Sequence, residues 1–242
     1  MITSKQNQLI KKIRSLHDKK YRDLYGEYIV EGSKLVNEAI LLGAEVLTVV
    51  CTEQASQLLC NADGLIELVS EQVFEHVTTE QSPQGVLAVI KKPSTEPVFT
   101  KKSCLFLDGV SDPLNVGAII RTAAASGYSD IYLASCADPF SYKAVRASMS
   151  GIFNVNVYQG EREELLKFIN HPVVVADMGG KNVFDLKIPS EFCLVIGSEA
   201  HGVSERIKNL SDYTVSIPME KGIESLNASV SAGILMYALK IK

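Results

Sequence analysis

Apolar residues recur along this chain at two periods. Leu9, Ile10, Ile13 and Leu16 fall at helical spacing and predict a helix over 4–23. Residues 34–42 predict a second helix, stopped by Gly43. The runs 46–51 and 85–90 predict strands, with helical turns over 53–60 and 70–77 between them. These elements make a small α/β unit that ends at the polar, proline-bearing stretch 91–97, the best linker candidate in the chain. Beyond it, predicted strands at 104–107, 131–134, 155–158, 173–176, 193–196 and 214–217 alternate with predicted helices at 116–126, 141–149, 161–169, 203–210 and 227–241. Short apolar strands alternating with helices predict an α/β fold with a mostly parallel sheet covered on both faces.

Composition narrows the class. A chain of 242 residues is one large domain or two small ones, and 46% hydrophobic with 21% charged residues is ordinary for a globular protein. No apolar run approaches the roughly 20 residues of a membrane span, and the basic N-terminus has no apolar signal region. Five scattered cysteines, with no Cys-x-x-Cys, predict free thiols in a reducing cytoplasm. Four histidines without ligand spacing predict no metal site. The net charge of −4 hides an asymmetry. The first 22 residues hold Lys5, Lys11, Lys12, Arg14, Lys19, Lys20 and Arg22 against Asp18, a net +6, which leaves −10 for the remainder. A basic arm on an acidic body suits a polyanion, or is a solvated basic helix face.

Three segments carry candidate chemistry. The first runs from strand 105–107 through Asp112-Pro113 into Asn115 and the helix 116–126, closed by Gly127. Asn115 is predicted to cap that helix, at the carboxyl edge of a strand, where open α/β sheets bind ligands and helix N-termini favour phosphate. Arg121 sits among small residues and needs an anionic partner or open water. The second segment is strand 193–196 leading to Gly197-Ser198-Glu199, with Gly202 beyond. Gly197 permits close backbone approach to a ligand, and Glu199 either holds a hydroxyl or caps the next helix. The third is Ile217-Pro218-Met219, a polar loop 220–224, and Ser225-Leu226-Asn227 before a last helix dense in Ala, Ser and Gly. Dinucleotide, P-loop and nucleophile-elbow fingerprints are all missing, which disfavours a nucleotide-binding oxidoreductase.

Together, in this order, Asp112–Ala123, Ile196-Gly197-Ser198-Glu199 with Gly202, and Ile217-Pro218-Met219 with Ser225-Leu226-Asn227 resemble the three signature motifs of the SpoU/TrmH family of RNA ribose 2′-O-methyltransferases, within the SPOUT superfamily. Ala200 and Ser150-Gly151 depart from the usual family residues. Residues 1–90, notably Tyr28-Ile29-Val30-Glu31-Gly32, resemble the N-terminal RNA-binding domain of many relatives. The resemblance implies a trefoil-knotted methyltransferase domain over 98–242, preceded by a small α/β, ribosomal L30e-like, RNA substrate-binding domain over 1–92. It implies S-adenosylmethionine as cofactor, contacted by Ile196, Gly197, Ile217, Met219, Ser225 and Leu226. It implies a cytoplasmic homodimer that methylates a ribose 2′-hydroxyl, so that RNA and not DNA is the substrate. Ribosomal RNA is favoured, with transfer RNA or a non-catalytic RNA-binding knotted protein as alternatives. Arg121 becomes the key catalytic residue, as base or as stabilising cation, supported by Asn115, Glu199 and Asn227. Lys11, Lys12, Arg14, Lys19, Lys20, Arg22 and Arg146 are the expected RNA contacts.

Overall fold

The computed structural model describes residues 1–62, 64–93, 96–222 and 225–240. Ser94 and Thr95 of the expected linker, Ile223 and Glu224 of the expected polar loop, and Ile241 of the last expected helix lie outside these residues. In chain order the elements are α1 (Gln8–Ser15), α2 (Lys19–Tyr25), β1 (Glu27–Glu31), α3 (Ser33–Leu41), β2 (Val46–Cys51), β3 (Ile66–Leu68), α4 (Glu71–Val77) and β4 (Val86–Lys91). The later ones are β5 (Cys104–Asp108), α5 (Pro113–Ser126), β6 (Asp130–Ala134), α6 (Tyr142–Ser148), β7 (Asn156–Gly160), α7 (Arg162–Leu166), β8 (Val173–Asn182), β9 (Cys193–Gly197), α8 (Glu205–Lys208), β10 (Tyr213–Ser216) and α9 (Ala228–Lys240). They form two compact units: residues 1–94 with 140–153, and residues 95–139 with 154–242.

The first unit is built on a four-stranded sheet of order β1-β4-β2-β3, antiparallel except for the β2–β3 pair. Ile10, Ile13 and Leu16 of the N-terminal segment pack with Val73, Phe74 and Val77 of α4 in its core. The single helix expected over 4–23 is two helices. Asp18 breaks it by accepting from the Lys20 N–H as the N-cap of α2, a local bond that outcompetes helix continuation. The break carries Arg22 inward. Its guanidinium donates to the carbonyls of Leu16 and His17, 2.8 Å each, at the open C-terminal end of α1. Arg22, expected as an RNA contact, is therefore a buried structural residue. Two strands that the period analysis left unassigned, β1 and β3, also belong to this sheet.

The second unit contains a six-stranded, all-parallel sheet of order β10-β8-β9-β5-β6-β7. Strands β5, β6 and β9 lie in its middle and are apolar and buried, as parallel strands covered on both faces must be. The strand expected at 173–176 continues to Asn182. Asp177, Gly179 and Gly180 look like a turn, yet Ser216 Oγ donates to the Gly180 carbonyl and β10 pairs with Lys181 and Asn182 after a register shift. A Cβ on Gly180 would meet the Val215 backbone at 2.5 Å, so only glycine fits this crossing.

The last helix lies along α5. Ser126 Oγ lies 3.5 Å from Met236 Sδ, Tyr128 Oη donates to the Met236 carbonyl, and Lys240 Nζ donates to the Ser126 carbonyl at 2.6 Å. A cation on the last carbonyl of α5 suits the negative end of that helix. No described helix is long and apolar enough to cross a membrane, and the described residues contain no cluster of three metal-ligating side chains.

Arg22→Ala orphans two carbonyls at a buried helix end. Urea unfolding should show a loss of about 1–3 kcal/mol, against less than about 0.5 kcal/mol for Lys11→Ala.

Candidate active site

Parallel register brings the three motifs to one edge. β5 pairs with β9 so that Asp108 stands opposite Gly197, and the chain leaves both strands on the same side of the sheet. After β5, Asp112 accepts from the Leu114 N–H as N-cap of α5, and Pro113 takes the first helical position. The helix thus begins before Asn115, which was expected to be its cap. Asp-Pro is the stronger start signal, since Pro lacks only an N–H that is orphaned there anyway. Asn115, freed from capping, is 7% exposed and points its amide at the other two motifs. Its Nδ2 donates to Glu199 Oε1 at 2.6 Å, and its Oδ1 accepts from Asn227 Nδ2 at 3.0 Å.

Chemistry fixes these orientations. A carboxylate only accepts, so Asn115 must present its NH2 to Glu199. Asn227 Oδ1 already accepts from the Ser229 N–H and hydroxyl and from the Val230 N–H, capping α9, so its NH2 must face Asn115. Asn227 therefore both caps a helix and joins the site. Among the described residues the second Glu199 oxygen has only the Ser111 N–H, at 3.5 Å.

Gly197 also permits a close approach within the chain itself. A Cβ there would lie 2.1 Å from the Gly202 carbonyl carbon and 2.2 Å from the Val203 nitrogen. The glycine lets the 198–202 loop fold back on β9, closed by paired Ser198 and Gly202 backbone hydrogen bonds. Beneath it Asp108, almost wholly buried, accepts from the Arg162 guanidinium and from the Ser204 N–H at 2.8 Å.

Beside this network opens a cavity of about 770 Å³. Ile196, Gly197, Ile217, Met219, Ser225 and Leu226, the expected cofactor contacts, all line it, together with Glu199 and Asn227. That volume lies within the range of small-molecule and cofactor sites. Strand β8 contributes residues that its hydrophobic period does not mark: Asp177 and Met178 line the cavity because the strand runs on past residue 176. The Gly179 N–H and the Lys208 ammonium hold the Asp177 carboxyl below its usual range. Cys136, whose Sγ approaches the carbonyls of Leu107 and Ala134, has its thiol pushed up to about 11 by burial.

Arg121 stands apart. It is exposed on α5 and makes no hydrogen bond or ion pair among the described residues. The expected RNA contacts of the first unit divide. Lys12 pairs with Glu27, Lys19 with Asp23, and Arg14 donates to the His76 carbonyl. Arg146, on α6, binds Glu80 at 2.6 Å while remaining largely exposed. Lys11 and Lys20 have no such partner among the described residues.

The family model of SpoU rRNA methylases matches residues 102–237, more than half the chain. The chain belongs to that family. A second model, the MRM3-like substrate binding domain, matches residues 7–88 of this SpoU family member. The 23S rRNA (guanosine(2553)-2′-O)-methyltransferase RlmP of Bacillus subtilis is 29% identical, over 99% of this chain and 98% of that one. The AdoMet-bound rRNA methyltransferase from Sinorhizobium meliloti superposes with a TM-score of 0.89 at 29% identity, covering 99% of this chain and 97% of that one. A TrmH/SpoU tRNA modifying enzyme of A. aeolicus, 26% identical, covers only 60% of this chain and 77% of its own, with a TM-score of 0.52.

Gly197→Ala forces backbone apart and should lower thermal stability by about 1–3 kcal/mol. Gly202→Ala meets open space and costs only the strain of its positive φ of 67°, about 1 kcal/mol. Thermal unfolding of the two variants side by side checks the order.

Proposed function

We propose that this protein transfers a methyl group from S-adenosylmethionine to a ribose 2′-hydroxyl of 23S-type ribosomal RNA. The observation that carries this reading is the cavity at the joined strand ends, with the Asn115–Glu199–Asn227 chain on its flank. The donor set suits the cofactor. Backbone at strand ends and the apolar Ile196, Ile217 and Leu226 suit a nucleoside, and the carboxylates of Asp177 and Glu199 suit a molecule of net positive charge. Full-length likeness to rRNA-modifying relatives, against partial likeness to a tRNA-modifying one, favours ribosomal RNA.

When bound, S-adenosylmethionine supplies an electrophilic methyl on a sulfonium. The chain's own residues must position and polarise a poor nucleophile. Glu199 is held by Asn115 through one oxygen, leaving the other for the ribose hydroxyl. Asn227 fixes Asn115 from the far side and anchors the loop holding Ser225 and Leu226. Arg121 acts as the cation that stabilises the developing oxyanion and the adjacent phosphate. A guanidinium pKa of about 12.5 or higher makes it a poor base.

Arg121 has no hydrogen-bond or ion-pair partner among the described residues, and this supports a site completed across a homodimer. On α5 Leu114, Ala118, Arg121 and Ala125 recur at helical spacing on an outward face, and Val230, Ile234 and Tyr237 do so on the adjacent α9. Leu114, Val230 and Tyr237 are 52%, 50% and 43% exposed, an apolar strip suited to a second copy of the chain. We further take residues 98–242 as a knotted catalytic domain, residues 1–92 as an L30e-like RNA-binding domain, and the cytoplasm as the compartment.

Arg121→Ala should lower methyl transfer to unmodified rRNA by about 100-fold or more, with cofactor affinity within a few-fold of wild type by calorimetry. The labelled product should resist alkaline cleavage at the modified ribose. Label on a base, or on tRNA alone, would contradict the reading. Leu114→Glu with Val230→Glu should give a monomer in sedimentation velocity that binds cofactor but transfers no methyl group.

A further inference from the structure

Helix α2 carries an aromatic pair that the fold does not use. Arg22 turns inward, and Tyr21 and Tyr25, four residues apart, share an outer face. Their rings are stacked, with centroids 6.2 Å apart and planes 20° from parallel. Lys12 Nζ lies 5.4 Å from the Tyr25 centroid, held there by Glu27 at 2.7 Å. Lys20 Nζ lies 5.7 Å from the Tyr21 centroid. Tyr25 and its neighbour Leu24 are 44% and 66% exposed. Other rings of this unit are committed elsewhere: Tyr28 and Phe74 are buried, and the Tyr142 hydroxyl binds Glu80.

The two lysines differ. Lys12 is fixed by a carboxylate, whereas Lys20, like Lys11 and Lys5 on the same basic segment, has no acidic partner among the described residues. An exposed Tyr25 ring stacked on a half-buried Tyr21, beside the unpaired ammonium of Lys20, matches the chemistry of an unpaired nucleotide, whose base offers a π-face and whose phosphate offers charge.

We propose that Tyr21 and Tyr25 form a platform on which an unpaired nucleobase of the RNA substrate stacks, with Lys20 moving from the ring to the adjacent phosphate. This rests on the reading of the protein as an RNA enzyme, and it gives that enzyme a contact for single-stranded RNA on α2.

The chain contains no tryptophan, so Tyr21→Trp introduces a single indole at the platform, whose emission can be excited apart from that of the tyrosines. Titrated with a short single-stranded RNA of mixed sequence, this full-length variant should lose emission as the base stacks. Replacing both rings, Tyr21→Leu with Tyr25→Leu, keeps apolar bulk on the helix and should weaken binding by about 10- to 100-fold, with an unchanged unfolding midpoint. Tyr21→Phe, which keeps the ring, should bind like wild type. Lys20→Gln should lower the slope of log affinity against log salt by about 0.7. Tight RNA binding with unquenched emission and no effect of the double leucine variant overturns the platform and leaves the methyltransferase reading intact. Failure of the wild-type protein to bind any RNA overturns both. A double leucine variant that loses self-association or a protein partner, while RNA affinity holds, assigns the surface to protein contact and also overturns the proposal.

Discussion

Asn115 is buried in the first turn of α5, where an amide left unpaired would be costly, so both its ends must find partners. They find them in Glu199, past the end of β9, and Asn227, at the start of α9. One side chain thereby joins its own helix to two segments that lie 84 and 112 residues further along the chain. The parallel register that sets Asp108 against Gly197 brings the first two together, and the capping bonds of Asn227 bring the third. The cavity flanked by this chain is therefore a product of sheet geometry, with its lining supplied mostly by segments that leave strands.

Close backbone approach is the second constraint. Gly197 admits the returning 198–202 loop, and Gly180 admits the crossing of β10. Both places would be closed by a single methyl group. Around them further bonds fasten the structure: Asp108 with Arg162 and Ser204 below the loop, and Lys240 on the end of α5. A site of this kind needs its reactive side chains held to within fractions of an ångström, and these fastenings supply that.

Much of the catalytic half was legible because parallel strands buried on both faces read as continuous apolar runs, and β5, β6 and β9 do. The three motifs were legible as residues, and the cavity gathers the expected cofactor contacts of the second and third. What escaped did so for local physical reasons. Asp112-Pro113 moved the helix start ahead of Asn115, and Asp18 split the first helix by a bond that a hydrophobic period cannot register. Arg22 looked like its basic neighbours until the break in that helix gave it two carbonyls to satisfy. Strand β8 was cut short because Gly179-Gly180 reads as a turn when the crossing of β10 is unseen. The packing of residues 140–153 with the N-terminal unit is non-local and leaves no mark in the sequence pattern.

The claim at the centre of this account is that Asn115 and Glu199 work as one unit. A double-mutant cycle on methyl transfer to unmodified rRNA, with Asn115→Ala, Glu199→Ala and the pair combined, tests it most directly. The account predicts that the double variant is no slower than the slower single variant, because either change already breaks the shared bond. Losses that multiply in the double variant would mean that the two residues act separately, and would contradict it.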